Sequence, residues 1–402
     1  MKNFTKFKLV LIFTPFVFSF AFGLDIYIPI VPQMAEIFNT SQALVQLTLS
    51  LFLLVTGIGQ LFIGPLSDQL GRRRVFYGAS ILFALGSILC ACSPTIYILI
   101  LGRIMSSLGA CGMLVTSFAV IRDLYSGEES AKLYSFLHGA IGISPTFAPL
   151  IGGYLSVYFG WPSVFVFLAF VGLVAFTITR VFIQETLEPK ARIKLNSKIF
   201  ERYIQIFSHR DFLIYATLAG FAESVFFGFF STSPFLIIHE LGVSTEEFGY
   251  YFAIFGCVIA FGGFLSGYII TYLGNRLTMA LGICLMGLGG MGMLSWYYVA
   301  GLSLGGFLWP MIIACSGAVF LLGGAAALAL EPFGAMAGTA AAAFGALEFG
   351  LSAFIGFILM LFPASTTIPY AVAIIILALL SGGLWGSMRR PQEENKSQTQ
   401  SA

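Results

Sequence analysis

Charge is what this sequence has least of. Asp, Glu, Lys and Arg make up 9% of its 402 residues, whereas soluble domains are about one-quarter charged. A large soluble domain is therefore excluded, and no nucleic-acid partner is expected. Cysteine chemistry is lacking too: Cys90, Cys92, Cys111, Cys257, Cys284 and Cys315 all fall within apolar runs or at their edges. None has zinc spacing in a polar loop, so they read as small packing residues. No GxxxxGK[ST], HExxH or selectivity-filter repeat occurs. An ATP-driven pump is thereby disfavoured, and neither an enzyme nor a cofactor is expected.

Apolar residues fill the space left by charge: 58% of the chain is hydrophobic, with 43 Phe and 45 Gly, and the mean hydropathy is +0.94. The start, "MKNFTKFKLVLIFTPFVFSF", is basic then apolar, like a signal peptide. The apolar part continues through about residue 31 without a cleavage pattern, which predicts a first spanning helix. A span needs about 20 mostly apolar residues. Runs of that order lie at 9–31, 43–66, 75–93, 95–120, 133–158 and 161–182, then at 212–238, 247–271, 277–298, 302–330, 334–362 and 367–388. The expectation is an all-α integral membrane protein with twelve transmembrane helices in two six-helix bundles, residues 1–182 and 212–388. A cytoplasmic linker (183–211), amphipathic around 196–207, joins them, and a tail (389–402) has the composition of disorder. Of 20 Lys and Arg, 19 fall on one side of this layout, and Arg103 lies inside a span. The positive-inside rule makes that side, with both termini, cytoplasmic. A monomer in the bilayer is expected.

An internal echo supports two repeated halves. "GPLSDQLGRRRV" (64–75) and "GYIITYLGNRLT" (267–278) match at a constant offset of 203: Gly64 with Gly267, Leu70 with Leu273, Gly71 with Gly274 and Arg73 with Arg276. Repeats of this kind place a substrate path at their interface, near the bilayer midplane. The first loop also resembles the signature G-x-L-a-D-r-x-G-r-k of the major facilitator superfamily, with Gln69 where a basic residue is common. "LILGRIMSSLGACG" (99–112) is similar to that family's fourth-helix motif with an embedded Arg. "APLIGGYL" (148–155) resembles its antiporter motif G-P-x-x-G-G, with Ala148 for the first Gly; Pro149, Gly152 and Gly153 match. Together with "LDIYIP" in helix one and "AGTAAAAFGALEFG" in helix eleven, the pattern resembles the bicyclomycin and chloramphenicol resistance (Bcr/CflA) branch of the drug:proton antiporters. The resemblance implies export over symport.

Four ionisable residues lie inside spans: Asp25, Arg103, Glu223 and Glu348. A charge at the membrane centre costs roughly 2.5–3.5 kcal/mol on insertion scales, so such residues normally face a cavity or one another. Asp25 and Arg103 each read as lying about 10 Å below the outer face, at matched depth. A carboxylate poised between burial and a nearby cation can bind and release a proton. Asp25 is the expected proton carrier, with Arg103 tuning or competing for it; a static ion pair that fixes packing is the other reading. Glu223, about eleven residues into span seven, is a candidate for a second proton or a cationic substrate group, or a protonated Glu hydrogen-bonded to a neighbouring helix. Glu348 is a further substrate-binding candidate. Tyr27 and Phe227, near the carboxylates, are candidates to line an apolar cavity; for any single Phe a lipid-facing or packing place is the favoured reading.

In the loop after span two, Gly64 and Gly71 are expected to allow a tight turn and close helix approach. Asp68 is expected to meet a positive helix N-terminus opposite, braced by Arg72 and Arg73, when the cytoplasmic ends are closed. Arg122 and Asp123 are a matching cytoplasmic pair. Pro145, Pro149, Gly152 and Gly153 suit a bent helix packed at the interface between halves. The function expected is proton-coupled efflux of a small amphipathic compound, such as an antibiotic, across the inner membrane. The alternatives are export of a native metabolite such as a siderophore, whose carboxylate would suit Arg103, a proton-coupled importer, or a non-transporting receptor.

Overall fold

The computed structural model describes residues 6–125, 127–187 and 197–387; the tail and part of the linker lie outside them. Among the described residues all regular structure is helical. In the first half these are α1 (Lys6–Asp25), a 3-10 turn (Ile28–Ile30), α2 (Val31–Ile37), α3 (Gln42–Leu70), α4 (Arg72–Ala91), α5 (Ile96–Leu124), α6 (Gly127–Phe159) and α7 (Pro162–Val181). The linker helix α8 (Ser197–Phe207) precedes α9 (Arg210–Pro234), α10 (Thr245–Ala300), α11 (Leu304–Leu330), α12 (Ala337–Leu359) and α13 (Ile368–Ser387). Among the described residues eleven helical segments are long and apolar enough to cross a membrane. One of them, α10, runs for 56 residues and is broken at Gly274, where φ is 74°, so it supplies two spans and the count is twelve.

The repeat seen in the loops extends to the backbone. Gly71, between α3 and α4, has φ 97°, and Gly274, 203 residues on, has φ 74°. Both occupy a region that a side chain disfavours. At the same offset, Ser41 and Ser244 cap the preceding helix starts, accepting from the N–H groups of Leu44 and Glu247. Gly64 plays no such part: a Cβ there would meet nothing within 4 Å. Its expected role in close helix approach is not seen.

The first span is longer than expected. It covers Lys8–Ile37 rather than ending near residue 31. Pro29 and Pro32 each fall in the first two positions of a helical segment, where the missing N–H is harmless and the fixed φ is suitable. They restart the helix instead of ending it. Asp25 therefore sits past the middle of its span, at a break, and not near the outer end.

Within the first half, α4 packs on α5 and α7, α3 on α5, and α1 on α5 and α6; within the second, α10 packs on α11 and α13, and α9 on α11 and α12. The halves meet chiefly through α3 against α12 and α6 against α10. Small residues make these contacts close. Gly249 of α10 lies against Leu150, Gly256 against Thr146, and Gly57 of α3 against Phe349 and Gly350 of α12.

Candidate functional site

The site forms where α1 stops. A helix end leaves its last four carbonyls without intrahelical donors, and at α1 these are partly met from elsewhere. Arg103 of α5 donates from a terminal guanidinium nitrogen to the Gly23 carbonyl at 2.6 Å. Its guanidinium carbon also lies 4.3 Å from the Phe52 ring centroid and 5.1 Å from that of Tyr27. Arg103 has no solvent exposure, and among the described residues its Nε and other terminal nitrogen have no hydrogen-bond partner. A cation at a helix C-terminus opposes the negative end of the helix dipole, so Arg103 acts as a cap on the broken first helix.

Asp25 is 3% exposed and faces another way. Its Oδ2 accepts from the Ser144 hydroxyl of α6 at 2.8 Å. Among the described residues it makes no ion pair with Arg103, so the static Asp25–Arg103 pair is not present. The two were expected to meet because their depths match. They diverge because the arginine is drawn to the free carbonyl two residues earlier. The charge that acts on Asp25 is Glu223 of α9, which in turn acts on Glu348 of α12. Glu223 and Glu348 are both half-buried at mid-span. Asp25, Glu223 and Glu348, from three helices, are thus electrostatic neighbours, and among the described residues no Arg or Lys forms an ion pair with any of them.

The two aromatic candidates are packed rather than open. Tyr27 is fully buried, its ring 5.3 Å from Phe165 and its hydroxyl accepting from Thr48 at 3.3 Å. Phe227, also fully buried, fills the space left by Gly356 of α12.

The tandem glycines of α6 divide their work. A Cβ on Gly152 would overlap the Ile26 carbonyl oxygen, at the break in the first span. A Cβ on Gly153 would lie 3.1 Å from the Thr245 carbonyl oxygen, at the start of α10 in the other half. Pro145 and Pro149 lie inside α6, with Pro145 and Thr146 packed on Gly256. At the end of the bundle away from Arg72, Gln33 donates to the Thr245 hydroxyl at 3.2 Å and Gln46 to the Ser231 carbonyl at 3.0 Å, and both bonds join the two halves.

At the helix ends around Gly71 the expected latch residues separate into two groups. Arg72, 2% exposed, pairs with Asp68 at 2.6 Å and with Asp123 of α5 at 2.9 Å. Glu185, just after α7, accepts from the Arg72 backbone N–H at 3.0 Å, and Thr186 donates to Asp123 at 3.0 Å. Asp68 therefore spends its charge on Arg72, and among the described residues no opposing helix N-terminus donates to it. Arg73 does not brace it either: it donates to the Arg180 carbonyl at 3.2 Å and lies over Tyr77. Arg122 parts from its neighbour Asp123 and lies against Gly338 at the start of α12. Arg72→Gln is expected to destabilise the protein by about 3 kcal/mol, the low end for breaking a buried pair because both carboxylates reach water. Arg73→Gln should cost less than about 1 kcal/mol. Thermal unfolding in detergent measures both.

Ser144, Glu185 and Thr186 were not anticipated. Ser144 directly precedes Pro145 in a motif already singled out, but its partner is 119 residues away, and nothing local announces that.

A polytopic helical bundle with a buried acid at a broken first helix, and two halves meeting through small residues, defines a membrane transporter. The chain belongs to the Major Facilitator Superfamily, whose family model matches residues 13–357. It is 31% identical over 380 residues to a chloramphenicol resistance protein of Pseudomonas aeruginosa, covering 93% of this chain and 89% of that one. It is 29% identical over 356 residues to a bicyclomycin resistance protein homolog of Haemophilus influenzae, covering 87% of each. These relatives accord with the Bcr/CflA resemblance. A crystal structure of a D-xylose-proton symporter superposes with TM-score 0.74 at 18% identity, covering 93% of this chain and 97% of that one; it shares the fold.

Proposed function

We propose that this transporter exports a small amphipathic compound in exchange for protons by alternating access, in the inner membrane with both termini cytoplasmic. The observation that carries this is Asp25: a buried acid at a helix break, held by one hydroxyl and, among the described residues, in no ion pair. An acid locked in an ion pair stays ionised, whereas one held by a neutral donor is free to change its protonation state as its surroundings are wetted and dried. Glu223 and Glu348, half-buried at mid-span, are assigned to substrate or to a second proton. Arg103 is assigned to holding the end of α1, and through it the position of Asp25. We divide the working unit into residues 1–182 and 212–388, joined by 183–211, and take it to act as a monomer. The resistance proteins among its relatives support an antibiotic-like substrate. The driving force suffices: each charge moved is worth about 2.3 kcal/mol per 100 mV, more than tenfold in gradient.

The test uses everted membrane vesicles from a strain lacking its own drug exporters. Acidifying the vesicle interior should drive accumulation of chloramphenicol or another amphipathic antibiotic only when this chain is present. Release on acidification would identify a proton-coupled importer instead.

A further inference from the structure

The signature loop hides a carbonyl that its own helix cannot satisfy. Pro65 lies within α3 and has no N–H, so the Leu61 carbonyl, four residues earlier, has no intrahelical donor. Tyr203 of the linker helix α8 supplies one: its hydroxyl donates to the Leu61 oxygen at 3.0 Å. Otherwise α8 packs on α9 and α12, and its Ile206 is fully buried. The hydrogen bond therefore runs from a helix seated on the second half to a helix of the first.

Its surroundings tie this bond to the cytoplasmic closure. Burial, and secondarily Asp68, hold the Tyr203 phenol up at about 12, so it remains a donor throughout the physiological range. Leu61 lies seven residues, about two turns, before Asp68 on α3, so Tyr203 holds the helix that carries Asp68 of the Asp68–Arg72–Asp123 cluster. On its other side, the Tyr203 ring lies 6.4 Å from Phe207, Phe207 lies 6.2 Å from Phe212, and Phe212 lies 5.6 Å from Phe333 in the turn before α12. A continuous row of rings thus joins the linker helix to the start of α12, against which Arg122 rests.

We propose that α8 is a strap across the two halves, and that the Tyr203 hydroxyl on the Leu61 carbonyl is the contact that holds the cytoplasmic ends closed. When those ends part, Tyr203 leaves with the second half and water takes its place on the carbonyl. Tyr203 is a positioning residue: it sets the balance between closed and open states and touches no substrate. The proposal rests on the alternating-access reading above.

Pro65 makes the test specific. In full-length protein with exposed Cys92, Cys257 and Cys284 replaced by serine, spin labels at Arg74 and Leu277, both exposed at cytoplasmic helix ends, report the separation of the halves. Tyr203→Phe keeps the ring and removes only the hydroxyl. It should lower the ratio of closed to open states about five-fold, equivalent to about 1 kcal/mol for one neutral hydrogen bond. Pro65→Ala restores an intrahelical donor to Leu61. In that background Tyr203→Phe should change the ratio by less than about two-fold, since the carbonyl no longer depends on the tyrosine. An equal shift in both backgrounds, or no shift in either, would overturn the proposal while leaving alternating access intact. A single separation in the parent protein at every pH and substrate concentration would overturn alternating access, and the strap with it.

Discussion

Asp25→Asn is expected to abolish uphill export while leaving a folded protein in the membrane. The substitution keeps the shape, and the amide oxygen can still accept from the Ser144 hydroxyl. It removes only the ability to gain and lose a proton. A carrier that cannot exchange a proton cannot couple, so the accumulation ratio in everted vesicles should fall from more than about tenfold to about one. Downhill substrate exchange, which needs no proton, should survive. Asp25→Glu should retain part of the activity, because the acid remains although its carboxyl is displaced. Persistent uphill transport by the Asn variant would remove Asp25 from the mechanism and throw the coupling onto Glu223 or Glu348. Simultaneous loss of downhill exchange would mean that Asp25 holds the fold of the site rather than its proton.

The second large effect is expected from a single methyl group. Gly152→Ala sets a Cβ onto the Ile26 carbonyl oxygen, and neither partner is a flexible side-chain end that can swing away. Overpacking of this kind costs about 1–3 kcal/mol, occasionally more. Here the strain falls on the break that presents Asp25, so transport should be lost even where the protein still inserts. Gly139 and Gly142 of the same helix give the comparison: a Cβ at either meets nothing within 4 Å, and alanine there should stay within about 0.5 kcal/mol of the parent. Thermal unfolding and vesicle uptake for the three variants decide the matter. If Gly152→Ala behaves like Gly139→Ala, the close approach of α6 to the break has no consequence for transport.

Much of the architecture was legible in the sequence because the bilayer demands so little variety. A span must bury its backbone polar groups within itself, so it must be a helix about 20 apolar residues long. Twelve such runs were enough to place the spans along the chain. The offset of 203 was legible as well, because a positive φ at Gly71 and Gly274 requires glycine whatever surrounds it. Asp25, Arg103, Glu223 and Glu348 stood out for the same reason: charge is conspicuous where it is expensive.

Tertiary structure alone decided what those residues do to one another. Depth along a helix can be counted, but the direction a side chain faces depends on its neighbours. Arg103 was at the right height for Asp25 and went instead to the Gly23 carbonyl, which is free only because α1 breaks there. The break came from prolines that a sequence scan reads equally well as the end of a helix or the start of one. Asp123 and Arg122, adjacent in the chain, serve different halves because neighbouring residues on a helix point about 100° apart. The membrane sets the length and the composition of each span, and both are written along the chain; the partner of each polar group is set by which free donor or acceptor lies nearest once the helices have packed, and that is written nowhere but in three dimensions.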